Sequence, residues 1–176
     1  ANQRLKMSPA LISDIFLGKI VVWNDKRIAA ENPGIKLPAL PITVVYRSDG
    51  SGTTYIFTEY LAKVSTVWDQ TVGNGKSVKW PIGIGAKGNP GVAGTINQTP
   101  GAIGYVELIY ALSNKMPYAL VKNKAGKYIN PDMKTVSLAA AKGIPANTKV
   151  SLTNTDSKDG YPISSFTWII LYKEQN

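Results

Sequence analysis

Ile42-Thr43-Val44-Val45-Tyr46-Arg47-Ser48-Asp49-Gly50-Ser51-Gly52-Thr53-Thr54-Tyr55-Ile56-Phe57-Thr58 is the run on which the reading of this chain turns. It opens with β-branched and aromatic residues, a strand composition. A polar, glycine-punctuated turn follows, and then apolar residues at helical spacing: Tyr55, Ile56, Tyr60, Leu61 and Val64. Strand, tight loop and helix in that order leave the unpaired N–H groups of a first helical turn, with their partial positive charge, at the end of the loop. Anions settle in such places. Ser51 and Thr53 add hydroxyl donors, Gly50 and Gly52 let the backbone approach closely, and Arg47 supplies a forked cation. Asp49 is placed to accept from the guanidinium and hold it facing the loop; it also suits a turn before Gly50. On pattern alone the run fits half of an oxyanion site and, equally, an ordinary strand-to-helix turn capped by Ser or Thr.

The 176 residues suffice for one good-sized core and are few for two. Apolar residues make up 44% and charged residues 18%, a globular balance. No run approaches the roughly 18 apolar residues of a membrane helix. The first residues do not read as a signal peptide, which leaves export open. Cysteine and histidine are absent. That removes disulfides, thiolate nucleophiles, the usual zinc sites and every triad with a His base. The acids form no convincing acid/base pair, so neither catalysis nor a metal or cofactor is expected. The net charge of +9 comes from 20 Lys and Arg spread along the chain. Only Lys122, Lys124 and Lys127 cluster, at an expected hairpin tip. No nucleic-acid partner is expected, because a basic stripe with interleaved aromatics is missing. A general positive field does suit an anion.

Elsewhere, Ser8-Pro9 starts a helix that Gly18 ends, and a short helix over 24–30 stops at Asn32-Pro33-Gly34. Val78–Ile82 and Ala102–Val106 read as strands, and Asn89-Pro90 as the cap and first residue of a helix reaching Gln98. Glu107–Asn114 and Pro131–Lys142 read as helices. Tyr118–Val121 and Lys127–Ile129 form a hairpin, and a long apolar strand closes the chain near Trp168–Tyr172. Trp23, Trp68, Trp80 and Trp168 are expected in packing. Strands alternating with helices imply an α/β fold with a mainly parallel sheet flanked by helices.

Two glycine motifs invite nucleotide readings. Gly73–Ser77 lacks the glycine a P-loop needs where Gln70 stands, and it follows a helix. Gly83-Ile84-Gly85-Ala86-Lys87-Gly88 satisfies Gly-x-Gly-x-x-Gly, with Glu107 about 20 residues on where a ribose-binding acid would lie. Asn89-Pro90-Gly91 delays the helix, however, so these glycines read better as a connection that lets backbones pass closely.

Arg-Ser-Asp-Gly-Ser-Gly-Thr-Thr at 47–54 resembles the signature of the extracytoplasmic phosphate-binding proteins of high-affinity phosphate ABC importers. The likeness extends through Leu17–Ile20, Trp23-Asn24-Asp25, Tyr60–Lys63, Val78–Gly83, Lys87-Gly88-Asn89, Pro100–Glu107 and Tyr161-Pro162-Ile163. The family is built from two α/β lobes of the type II periplasmic-binding-protein fold, with phosphate between them. The resemblance implies that residues 1–176 are one such lobe, the second, with the first absent from this chain. It implies that Arg47, Ser51, Gly52 and Thr53 bind phosphate, and that Asp49 orients Arg47. Implied partners are inorganic phosphate, the missing first lobe and the importer's membrane subunits, in a periplasmic or otherwise extracytoplasmic location. The family's phosphate-selecting carboxylate belongs to the other lobe, so selectivity does not carry over. A stand-alone lobe reused as an interaction module, or paired with a separately encoded first lobe, is the alternative. Phosphoryl transfer is a poor third.

Overall fold

The computed structural model describes residues 4–141, 143–145 and 150–167. Elements follow in the order β1 (Lys6–Met7), α1 (Pro9–Phe16), α2 (Lys26–Glu31), β2 (Thr43–Arg47), α3 (Gly52–Val64), α4 (Thr66–Thr71), β3 (Ile84–Ala86), α5 (Gly88–Gln98), β4 (Ala102–Gly104), α6 (Leu108–Ser113), β5 (Leu120–Lys122), β6 (Tyr128–Ile129) and α7 (Met133–Ala139). The strands form two small sheets, ordered β3-β2-β4 and β1-β5-β6. The first is wholly parallel, with Val45 opposite both Ile84 and Gly104. In the second, β1 runs parallel to β5 and β6 turns back antiparallel. The expected α/β class with mainly parallel strands is what the chain adopts.

Local signals explain most starts and stops. Ser8 caps α1 by accepting from Leu11 N–H, Pro9 opens the helix, and Gly18 beyond it takes φ +75°. Asn32 does more than stop α2. Its buried amide pairs with both Lys6 N–H (2.7 Å) and Lys6 C=O (2.9 Å) and also donates to Ile28 C=O, so it completes the open edge of β1. Ser65 is at once the C-cap of α3 and the N-cap of α4, a break that the continuous apolar spacing conceals.

The core lies where α1 and α3 meet the β3-β2-β4 sheet. Phe16 meets Phe57 edge-on at 4.7 Å, and Tyr60, Leu61 and Trp68 are fully buried. Trp80 stacks on Tyr46 (5.0 Å) and Tyr105 (5.7 Å), while Trp23 donates its indole N–H to Gly101 C=O. The packing expected of these tryptophans is present; Trp168 lies outside the described residues.

Two expectations are corrected. Val78–Ile82 is not a strand; the strand is Ile84–Ala86, inside the glycine run. The reason is steric: a Cβ on Gly83 would stand 2.5 Å from Val44 O, so only glycine lets this segment reach β2. Asn89 does not cap α5; Lys87 occupies the cap position and Asn89 sits in the first turn. The expected closing strand near Trp168–Tyr172 lies outside the described residues.

Candidate anion site at the strand ends

In a parallel sheet every strand ends on the same side, and each of these three leads into a helix start. β2 leads to α3, β3 to α5 and β4 to α6. The crevice beyond the carboxyl ends of such strands is where ligands gather in α/β folds.

The loop after β2 carries the predicted cluster. Arg47 donates from Nε to Asp49 Oδ1 (2.8 Å) and from one terminal nitrogen to Oδ2 (2.6 Å), a two-bond fork. Gly88 N–H, at the start of α5 with φ +68°, also donates to Asp49 Oδ1 (2.9 Å). The Arg47 guanidinium, with help from Gly88, holds the Asp49 carboxyl well below the usual carboxylate range, and the same fork raises Arg47. Asp49 therefore orients Arg47, and the guanidinium keeps further N–H groups for another acceptor.

Ser51 is the N-cap of α3; its Oγ accepts from Thr54 N–H at 3.2 Å and keeps its own hydrogen to donate. Gly52 and Thr53 N–H, in the first turn, have no acceptor among the described residues. A Cβ placed on Gly50 or Gly52 would meet nothing within 4 Å, so the space over the loop is open. Thr53 stands differently from expectation: its hydroxyl donates to Glu107 Oε1 at 3.2 Å.

Tyr105 supports the loop from beneath. Its buried hydroxyl accepts from Arg47 N–H (3.1 Å) and shares a hydrogen bond with Thr54 Oγ1 at 2.6 Å, in which either group can be the donor. Burial raises the phenol pKa, so the group stays neutral. Glu107 precedes α6 without capping it and also accepts from Asn89 Nδ2 at 3.2 Å. Gly88, Asn89, Tyr105 and Glu107 thus join the candidate site from β3 and β4. Both Gly88 and Glu107 belong to the glycine motif pattern, and their position at strand ends is the signal that marks them.

The other sequence motifs resolve as packing. The Gly73–Ser77 turn lies along α3: Thr58 Oγ1 meets Asn74 Oδ1 and Gly75, and Ser51 N–H donates to Lys76 C=O. Lys124 and Lys127 pair with Asp156 and Asp159 and form no basic patch. No group of three or more potential metal ligands occurs among the described residues. The surface hollow between α5 and α6, lined in part by Pro90, Ile109 and Tyr110, lies apart from the Arg47 loop.

Fold and loop together give an α/β domain with a helix start whose first N–H groups are open. The chain belongs to the PBP superfamily domain family, whose match spans residues 1–176. It is 46% identical over 174 residues to the "Phosphate-binding protein PstS" of Xylella fastidiosa, covering 97% of this chain and 48% of that protein. To the protein of the same name from Pasteurella multocida it is 47% identical over 173 residues, 97% of this chain and 50% of that one. The corresponding figures for Methanocaldococcus jannaschii are 40% over 191 residues, 99% and 49%. The chain thus spans about half the length of these relatives. Among solved structures, a phosphate-binding protein from Stenotrophomonas maltophilia superposes with a TM-score of 0.60 at 22% identity, over 93% of this chain and 48% of that one. A human phosphate binding apolipoprotein does so with a TM-score of 0.66 at 21% identity, over 93% and 52%. At these identities the likeness is one of fold.

Proposed function

We propose that this chain is the second lobe of a phosphate-binding protein serving a phosphate ABC importer, and that it carries half of the phosphate site. In this reading Arg47, Ser51, Gly52 and Thr53 contact inorganic phosphate and Asp49 holds Arg47 in place. The observation that carries it is the Arg47–Asp49 fork set in the loop that enters α3, whose Gly52 and Thr53 N–H groups lack acceptors. The names of the relatives and the half-length match support it. The reading contains binding and no chemical step. It places the protein outside the cytoplasm, with a first lobe and the importer's membrane subunits as partners. No helix among the described residues is long and apolar enough to cross a membrane.

Enclosure by two lobes assembles charge-assisted hydrogen bonds worth about 1.5–3 kcal/mol each. One open lobe makes roughly half of them and leaves the ligand wet. Titration of the chain with inorganic phosphate should therefore give a Kd in the millimolar range, about −4 kcal/mol. Submicromolar affinity would refute the half-site reading, and no binding at all would refute the site.

A further inference from the structure

Asn74-Gly75 is the single Asn-Gly pair of the chain and lies in the glycine turn that follows α4. The turn is pinned at both ends. Gly73 C=O accepts from the indole N–H of buried Trp68 (2.9 Å), and Lys76 C=O accepts from the N–H of Ser51, the N-cap of α3 (2.8 Å). Between the pins one oxygen gathers both halves of the pair: Thr58 Oγ1 lies 2.8 Å from Asn74 Oδ1 and accepts from Gly75 N–H at 3.2 Å. Its own hydrogen is offered to Asn74 Oδ1 and to Thr54 C=O, each at 2.8 Å. The Asn74 side chain is therefore folded over the amide that follows it. A Cβ at 75 would stand 2.9 Å from Ser77 O, so the turn takes glycine there, and glycine leaves the amide nitrogen unshielded. Asn74 itself is exposed, which admits water.

We propose that Asn74 is a self-modification site, at which the turn converts its own asparagine to aspartyl and isoaspartyl forms. Gly75 N attacks Asn74 Cγ; the new N–Cγ bond closes a cyclic imide and the Cγ–Nδ2 bond breaks. Thr58 Oγ1 touches both reacting groups. It takes the hydrogen from Gly75 N–H while giving its own to Oδ1, where negative charge develops, and is left unchanged. The hydrogen passed to Oδ1 departs with Nδ2 as ammonia, and nothing is oxidised or reduced. Water then opens the imide. Addition at Cγ restores the ordinary link with aspartate at 74. Addition at the main-chain carbonyl leaves an isoaspartyl link, which lengthens the backbone by a carbon between the two pins. That extra length falls on the bond from Ser51 N–H to Lys76 C=O, and so on the cap of α3. The proposal is independent of the phosphate reading, because it needs no ligand.

The wild-type chain, without phosphate, would be warmed in mildly alkaline buffer, both folded and in concentrated urea, and followed by peptide mass and by isoaspartyl-specific enzymatic methylation. A gain of about 1 Da on the peptide that carries Asn74 should appear in the folded chain at least as fast as in the unfolded one. Slower conversion in the folded chain would show that the turn protects the pair and would overturn the proposal. Asn74→Ser should gain no mass on that peptide; a gain there would overturn the assignment to Asn74. Thr58→Ser, which keeps the hydroxyl, should convert like the wild type, and Thr58→Val should convert at least about tenfold more slowly. Equal rates in these two variants would refute the part given to Thr58. In the isoaspartyl product the amide signals of Ser51 and Gly52 should move further than in Asn74→Asp, which gains the charge without the added carbon. Unmoved signals would refute the link to α3.

Discussion

Tyr105→Phe removes one oxygen atom from beneath the Arg47 loop. The ring contacts with Phe57 (4.5 Å) and Trp80 (5.7 Å) need no hydroxyl, so the packing term is nearly unchanged. What is lost is polar: Arg47 N–H forfeits its acceptor and Thr54 Oγ1 its partner. Thr54 is fully buried and Tyr105 is 8% exposed, which leaves water little access to replace either bond. A buried group left unsatisfied costs about 1–3 kcal/mol, so the pair should cost about 2–4 kcal/mol. That is a large part of the roughly 5–15 kcal/mol that holds an ordinary domain folded. Thr54→Val, which removes only the phenol's bond to Thr54 and leaves that to Arg47 N–H, should cost about 1–2 kcal/mol. In the double variant only Arg47 N–H stays unpaired, so its cost should fall short of the sum by about 1 kcal/mol or more. Urea unfolding at constant m-value reads all four proteins. A Tyr105→Phe cost under about 0.5 kcal/mol, or strict additivity, would show that the hydroxyl does not tie β2 to α3.

Arg47→Lys keeps the charge and loses the fork to Asp49, and with it one or two charge-assisted bonds to an anion; phosphate affinity in calorimetric titration should drop at least about tenfold. Asp49 has a lowered pKa in the fold, so its stabilisation is complete above the unfolded value of about 3.9 and is lost as pH falls through the lower folded value. Melting temperatures should then show a wild-type advantage over Asp49→Asn that is constant from about pH 7 to 4 and shrinks below; an advantage that grew with acid would refute the assignment. Asn32→Ala removes three hydrogen bonds at a residue 3% exposed and should cost about 2–4 kcal/mol in denaturant unfolding, with β1 amides the first to lose exchange protection.

Elements with signals inside their own few residues were legible: Ser8-Pro9 and Gly18 around α1, the β-branched and aromatic run of β2, Ser51 before α3, and the hairpin of β5 and β6. Those that depend on distant partners were not. β1 is two residues long and exists because Leu120 and Val121 lie beside it and Asn32 closes its other edge. Sequence pattern puts a strand at Val78–Ile82 because apolar residues there look like one. Trp80 in fact turns into the aromatic stack, and the strand falls to Ile84–Ala86, which Gly83 lets approach Val44. The same division runs through the candidate site. Arg47 and Asp49 stand two residues apart, and their pairing is readable as spacing. Gly88 and Asn89 from the start of α5, and Tyr105 and Glu107 from the end of β4, arrive some 40–60 residues later, brought in because parallel strands all end on one side. Topology therefore assigns Glu107 its surroundings. The acid that fits a ribose by its distance from a glycine motif sits instead against the first turns of α3 and α5, where it accepts from Thr53 and Asn89.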